Sequence, residues 1–504
     1  MKSPIIGIDL GTTNSCGAVS DENGNVTLIP YRGGQFTVPS IFAIDDKGND
    51  LVGYEAQRQW QLNPKNTVFG AKRLLGVNFE SEIVREMIKR VGYEIKRGDA
   101  DDITIVVGGK DLRLTDISSR ILGKIREVAS SYLGEDIKRA VVTVPAYYND
   151  RQRQGVYEAG ELVGLEIVRI INEPTAAALA YGARKNTNES VAVYDLGGGT
   201  FDLSVISIRD RVFEVRSTGG NIFLGGIDFD NALIQYILSD FNTQHGIDLA
   251  TDPIAMQRIR DMAERVKVDL SARHEVPLSV PFITMAGGGK PLDLNMIVRR
   301  VDLEALTAHL VDKTFDTCAR VIDEAGLKPS EIDQVLLVGG QTRMPLIQNR
   351  IADFFGKVPS KSVHPDEAVA IGAALYAWSL DDRSDLRFQL LDVLPMAISI
   401  EKADATLHRL FGRNCSVPNQ CQVTFTTHRD NQKDLVMRIV QGDAATVHDN
   451  TLLGEFTFAD LRPGGAGSVR VEVVFTVSAE GILSLTAKDL DTGTQMSHTV
   501  KIES

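Results

Sequence analysis

Ile6-Gly-Ile-Asp-Leu-Gly-Thr-Thr-Asn-Ser15 and Val193-Tyr-Asp-Leu-Gly-Gly-Gly-Thr-Phe-Asp202 say nearly the same thing at two distant places in the chain. Each is an apolar run, then Asp-Leu-Gly, then a small, hydroxyl-rich turn. That pattern predicts a strand, a tight turn and a return strand, made twice. A Gly-rich turn offers backbone N–H groups to an anion, and the Asp at its entrance can hold a cation by way of water. Two such loops facing each other would clamp the phosphates and metal of a nucleotide from both sides. A single Asp-Leu-Gly is an ordinary turn; two copies, each beside a threonine, propose a two-lobed nucleotide fold.

Outward from these loops, the chain of 504 residues exceeds one ordinary domain. Apolar residues at 43% and charged residues at 24% are those of a globular protein. A formal net charge of −13 argues against a nucleic-acid partner, which needs basic surface. No apolar run approaches the roughly 20 residues of a membrane span, so no membrane partner is expected. The first residues lack a cleavage site and are broken by Asp9, so they do not read as a signal peptide. Cys16, Cys318, Cys415 and Cys421 lack CxxC spacing, which speaks against zinc and for a reduced, cytoplasmic setting.

From Lys2 to about Ser379, strand-like runs (140–144, 167–171, 334–338) alternate with amphipathic helical ones (117–132, 151–163, 228–241, 303–324), an α/β pattern. Residues 379–387 are polar, and 388–392 form a short apolar patch. After Pro395 only short alternating runs appear, clearest at 469–477, as in a β-sandwich. The divisions expected are 1–383, a linker at 384–393, and 394–504.

No GxxxxGK followed by Ser or Thr is present, so a nucleotide would need another cradle. Two further glycine-rich elements, 218–228 with Gly225 and Gly226, and 336–345 with Gly339 and Gly340, each precede a helix whose N–H groups could meet a nucleotide. Gly287-Gly-Gly289 reads as a hairpin tip.

Together with the paired loops, Val144-Pro-Ala-Tyr-Tyr-Asn-Asp150, Asn172-Glu-Pro-Thr-Ala-Ala-Ala-Leu-Ala-Tyr-Gly182, Leu337-Val-Gly-Gly-Gln-Thr-Arg-Met-Pro345 and His364-Pro-Asp-Glu-Ala-Val-Ala-Ile-Gly-Ala-Ala374 resemble the heat shock protein 70 family, the bacterial DnaK type most closely. The resemblance runs along essentially the whole chain. It implies an actin-like (ribonuclease H-like) two-lobed ATPase domain followed by a peptide-binding all-β sandwich. The function it implies is that of an ATP-dependent chaperone for extended apolar segments of unfolded proteins.

Position by position, the resemblance implies that Asp9 and Asp195 anchor Mg²⁺ through water, with K⁺ nearby, and that Gly11, Thr12, Thr13, Asn14, Gly197, Gly198, Gly199 and Thr200 cradle the phosphates of ATP or ADP. Lys72 would reach the γ-phosphate and Glu173 would orient or deprotonate the attacking water, with Asp195 and Thr200 completing the catalytic set. Gly225, Gly226, Glu264, Lys267, Ser271, Gly339, Gly340, Arg343 and Asp366 would bind the rest of the nucleotide; Glu264, Lys267 and Ser271 share one helix face by spacing. These residue types suit phosphoryl transfer, which needs charge neutralisation and an aligned nucleophile.

The resemblance implies that Pro145 and Arg153 act as a switch-like relay between the lobes and that the linker, with Leu390, Leu391 and Asp392, docks on the ATPase domain in the ATP state. Phe388, Gln389 and Arg387 depart from the family linker's aliphatic run, and Gln in place of an aliphatic residue is expected to weaken docking by on the order of 1 kcal/mol. The peptide groove would comprise Ile398, Ile400, Ala403, Phe425, His428, Leu435, Met437 and Val471. Ala403 and His428 depart from the family's arch over the peptide, so weaker retention of apolar peptides is expected. The family's helical lid is expected to be missing after Ser504. Partners implied are unfolded polypeptides, a J-domain co-chaperone on Tyr147, Asn149, Asp150, Arg169 and Asn172, and a nucleotide-exchange factor at 287–291. An actin-fold sugar kinase and a non-catalytic scaffold or exchange-type relative are the alternatives.

Overall fold

The structure is a computed structural model that describes residues 4–98, 102–185, 187–286, 289–402, 404–496 and 498–501. The duplication read in the sequence is built into two sheets. In the first, strand Ile5–Asp9 runs antiparallel to its return strand Asn14–Ser20 and parallel to Arg139–Val144, which is followed by Glu166–Asn172. In the second, Asn188–Leu196 runs antiparallel to Phe201–Arg209 and parallel to Gln334–Val338. Each Asp-Leu-Gly therefore ends a central strand flanked by one parallel and one antiparallel neighbour. These two sheets are the cores of two lobes, each with its own apolar cluster.

The lobes meet over two alanine-rich helices, Glu173–Gly182 and Ala368–Ser379. Neither shows one apolar face; both are buried nearly all round, as suits helices packed on every side. Small residues allow the close approach. A Cβ on Gly372 would overlap the Ala176 carbonyl, and one on Gly7 would lie 2.7 Å from the Ala374 Cα. A third cluster joins these helices to Ile5, Val141 and Ile171 of one sheet and to Val193, Ile206, Phe213 and Val338 of the other.

The polar and apolar stretch after residue 379 is ordered against this cluster. Arg387 donates to the carbonyls of Ser379, Ser384 and Leu386, closing the segment that leaves the helix. Strand Gln389–Val393 then adds to the second sheet, parallel to Val212–Asn221, and on its other side pairs with Ser416–Val417. One six-stranded sheet thus crosses from the α/β part into the β part. Val393 is buried in the shared cluster, and Phe388 and Leu390 pack on it, Phe388 edge-on to Phe213 at 5.9 Å. Gln389 is exposed. Its amide is not desolvated, so the expected loss of docking from a buried polar side chain does not arise.

Beyond Pro395 the described residues form strands and turns only. Two sheets, of five and four strands, enclose a core of their own. Strand Arg470–Val477 alternates as its sequence predicts, with Val471, Val473, Phe475 and Val477 inward, between Asn419–Thr426 and Leu483–Asp489. The hairpin read at 287–289 has its strands at Glu275–Met285 and Pro291–Arg299, while 287 and 288 lie outside the described residues.

Because Gly372 faces backbone that cannot swing aside, Gly372→Ala is expected to destabilise the α/β part by about 1–3 kcal/mol. Urea unfolding checks this, and a midpoint equal to wild type would contradict the close packing.

Candidate nucleotide site and its link to the β part

Both Asp-Leu-Gly turns open into one cleft of about 470 Å³ between the lobes. They face each other: a Cβ on Gly199 would lie 2.5 Å from Thr12 Cγ2, and one on Gly198 would overlap Thr13 Oγ1. Gly226 and Ile227 donate their N–H groups to the carbonyls of Gly197 and Gly198, both at 2.9 Å, so the element at 218–228 buttresses the second turn. Asp9, Gly11, Thr12, Thr13, Asn14, Lys72, Glu173, Asp195, Gly197, Gly198, Thr200 and Gly226 line the cleft. On its far wall stand Glu264, Lys267, Ser271, Gly339, Gly340, Arg343 and Asp366. Gly199 and Gly225 were expected to touch the ligand. They pack tightly within the paired turns, where a Cβ on Gly225 would lie 2.6 Å from the Gly199 nitrogen.

Lys72 sits in a single 3-10 turn, Ala71–Arg73, whose left-handed lead-in is Gly70 at φ 67°. The turn is pinned by Tyr148, whose hydroxyl donates to the Lys72 carbonyl at 3.0 Å. Lys72 Nζ donates to Glu173 Oε1 at 2.8 Å, and both side chains are buried. Glu173 opens the helix Glu173–Gly182, a position fixed by the strand Glu166–Asn172 that precedes it. The next residue, Arg73, crosses to the other lobe: it donates to the Gly199 carbonyl at 2.9 Å and pairs with Asp228 at 2.5 Å. Arg90 reaches the same carboxylate at 2.8 Å.

Asp9, Glu173 and Asp195 line the cleft, and next to Asp195 on the paired strand stands a fourth carboxylate that the sequence reading left without a role. Asp202 lies directly opposite Asp195 on the paired strands, is 1% exposed, and is approached by the backbone N–H groups of Tyr147 and Ala146. Like charges directly opposite on adjacent strands repel. Burial, and then Glu173, push Asp202 up to about 8. Burial, then Glu173, raise Asp9 to about 7. Burial, followed by Glu173 and Asp202, lifts Asp195 well above the usual carboxylate range. Among the lining residues Lys72 is the cation that faces them. Hard oxygen donors with this excess of negative charge suit Mg²⁺ and further cations. No group of three candidate ligands close enough to hold a metal directly occurs among the described residues.

On the far wall, Lys267 pairs with Asp230 at 2.8 Å and donates to the Gly226 carbonyl at 3.0 Å. Burial, then Asp230, raise Glu264. Arg343 pairs with Asp366 at 2.6 Å, which holds its guanidinium plane at the cleft rim.

The cleft connects to the β part through residues next to Glu173. Arg153, 4% exposed, donates to Asn172 Oδ1 at 2.9 Å, and to the carbonyls of Tyr148 and Ala146. Asn172 in turn donates to Asp392 Oδ2 at 2.7 Å, with Thr175 Oγ1 at 3.3 Å. Pro145 is buried beside them. Around this junction, Leu483 N–H donates to Asp150 at 2.7 Å and Arg169 pairs with Glu480 at 2.5 Å. Arg413 pairs with Glu324 at 3.1 Å and Asp443 at 3.0 Å, and donates to the Thr218 carbonyl. Asn149, Asp150 and Asn172 are therefore covered. Nothing local in the sequence marks Arg413, because its partners lie far off along the chain.

Of the groove residues expected, Ile398, Ile400, Met437 and Val471 are core. Phe425 and Leu435 pack on that core half-exposed, and His428 is exposed, its N–H donating to Gln432 Oε1 at 3.0 Å. Ala403 lies outside the described residues.

A family model described as "Hsp70 protein" matches residues 5–504, so the chain belongs to the Hsp70 family of ATP-dependent chaperones, which are ATPases that bind ATP or ADP with Mg²⁺. Without those ligands the raised carboxylates hold protons in the folded chain that they release on unfolding. Their stabilising contribution is therefore full at low pH and lost as pH rises through about 7 for Asp9 and about 8 for Asp202. Thermal unfolding of the nucleotide-free, chelated chain should show stability falling from about pH 4 to about pH 8 and levelling off above. Asp202→Asn should flatten that fall and Mg²⁺ with ADP should oppose it. A slope unchanged by Asp202→Asn would contradict the charge crowding.

Proposed function

We propose that this member of the Hsp70 family uses the inter-lobe cleft to hydrolyse ATP and the strand at 389–393 to pass its nucleotide state to a peptide groove in the β part. The observation that carries the reading is the short path from Glu173, through its neighbour Asn172, to Asp392. The division proposed is an ATPase domain at 1–383, a linker at 384–393 and a peptide-binding domain at 394–504.

In the cleft, the turns at 11–14 and 197–200 would hold the phosphates with backbone N–H groups and hydroxyls. Mg²⁺, when bound at Asp9 and Asp195, supplies charge neutralisation for the phosphates. A monovalent cation such as K⁺ would lie near Asp9 and Asp195, whose carboxylates face the cleft. The Lys72–Glu173 pair at 2.8 Å gives the two residues a shared role. A γ-phosphate draws the Lys72 ammonium toward itself, where negative charge builds up in phosphoryl transfer. That frees a Glu173 oxygen to accept a hydrogen bond from the attacking water and to align it. Glu264, Lys267, Ser271, Gly339, Gly340, Arg343 and Asp366 would hold the ribose and base.

The linker strand is a bistable element: it is paired in a sheet here and would expose Leu390 and Val393 if released. Asp392 and Arg153, with Pro145 beneath them, register its presence beside Glu173. In the groove, Phe425 and Leu435 offer the half-exposed apolar surface that an extended peptide needs, flanked by Ile398, Ile400, Met437 and Val471; His428 and Ala403 would form the arch. Of the J-domain surface at Tyr147, Asn149, Asp150, Arg169 and Asn172, only Tyr147 and Arg169 are half-exposed here, so a J-domain would reach the other three when the β part is released. An exchange factor would meet the hairpin around 287–291. Four cysteines with no disulfide among them suit a reducing compartment such as the cytoplasm.

Single-turnover hydrolysis tests the site. Lys72→Ala and Glu173→Gln should each slow the chemical step by about 100-fold or more while ATP still binds. Wild-type rates in both would refute the assignment. Leu390→Asp combined with Leu391→Asp should abolish stimulation of the ATPase by peptide while leaving hydrolysis in the cleft intact; undiminished stimulation would sink the linker's role.

A further inference from the structure

The seam between the two parts has an imbalance of charge at its centre. Arg153 makes all of its hydrogen bonds to uncharged acceptors, the Tyr148 and Ala146 carbonyls and Asn172. Two carboxylates flank it, Asp150 buried and Asp392 half-buried. Asp150 is 4% exposed and is covered by the β part: Leu483 N–H donates to its carboxylate at 2.7 Å, and Gln441 Oε1 accepts its backbone N–H at 3.1 Å. Asp392 is held by Asn172, Thr175 and the Val393 N–H. Neither carboxylate is within ion-pair distance of a cation among the described residues.

The other charges at the seam are spoken for. Glu480 is paired with Arg169 and Arg413 with Glu324 and Asp443, while Arg151 faces outward to Asp102. On Asp150's own helix the facing groups are Arg153 and Gln154. Asp202 and Glu480 also act on Arg153 from beyond. The centre of the seam therefore holds one guanidinium for two carboxylates. Before docking, Asp150 would be open to water, because its cover comes from the strands Leu435–Gln441 and Leu483–Asp489 of the β part.

We infer that closure of the β part and the linker strand onto the α/β part takes up a proton at the Asp150–Arg153–Asp392 junction, so that mild acidity favours the docked arrangement. Burial pushes Asp150 up to about 6, against the opposing pull of the Leu483 N–H and Arg153. Its place in the first turn of a helix also opposes the rise, and burial prevails. Burial raises Asp392 too. An exposed aspartate titrates near 3.8. Docking thus binds a proton that the open form releases, and the docked fraction rises as pH falls through about 6. Asp150 alone would favour docking about tenfold at pH 5 relative to pH 8. The inference deepens the coupling proposed above and rests on docking being reversible.

Hydrogen exchange of the amides at 389–393, corrected for intrinsic rates, tests it on the full chain with and without ATP. Protection should be about tenfold higher at pH 5 than at pH 8 in wild type. Asp150→Asn, which imitates the protonated side chain and keeps an oxygen for Leu483, should hold the low-pH protection at every pH. Protection that does not change with pH in wild type, or that changes equally in Asp150→Asn, would overturn the inference. Protection equal with and without ATP at every pH would instead strike at the nucleotide control of docking.

Discussion

Three carboxylates, Asp9, Glu173 and Asp195, meet in a cleft where Lys72 faces them, with Asp202 buried behind Asp195, and the rest of the molecule is arranged around the cost of enclosing that charge. Asp9 comes from one lobe, Asp195 and Asp202 from the other, and Glu173 from the helix packed between them. Bringing them together costs free energy unless protons or bound cations offset the charge. The raised carboxylates record this cost. Lobe closure is thereby tied to the nucleotide and its metal by electrostatics, with cross-lobe contacts such as Arg73 and Arg90 on Asp228 holding the closed geometry.

The same helix start that presents Glu173 to the cleft presents Asn172 and Thr175 to Asp392. A shift there cannot stay local. The third core cluster includes both lobes' strands, both alanine-rich helices and the apolar side chains around the linker strand. Interiors packed this closely transmit displacement rather than absorb it. The linker strand is also hydrogen-bonded on both edges, to Val212–Asn221 and to Ser416–Val417, so releasing it would break a sheet that runs through both parts.

Much of this was legible in the sequence because it is written locally. A strand, Asp-Leu-Gly and a return strand have a fixed short pattern, and the two copies led directly to the paired sheets and facing turns. The alternation at 469–477 likewise stated its own inward face. What the sequence withheld depends on register and on distance. Asp202 sits inside the quoted motif, yet its confrontation with Asp195 appears only once the strands are paired. Arg413 has partners in three remote segments. Gln389 misled when the linker was read as an apolar run: as a strand, the segment turns that side chain outward and lets Phe388, Leu390 and Val393 do the packing.

The central claim is that charge compensation in the cleft governs how the β part is held. The rate at which a bound peptide leaves the chain, measured with Mg²⁺·ATP and with Mg²⁺·ADP, tests this most directly. The account predicts release at least about tenfold faster with ATP, equivalent to a coupling of about 1.4 kcal/mol between the sites. Equal rates with the two nucleotides would contradict it.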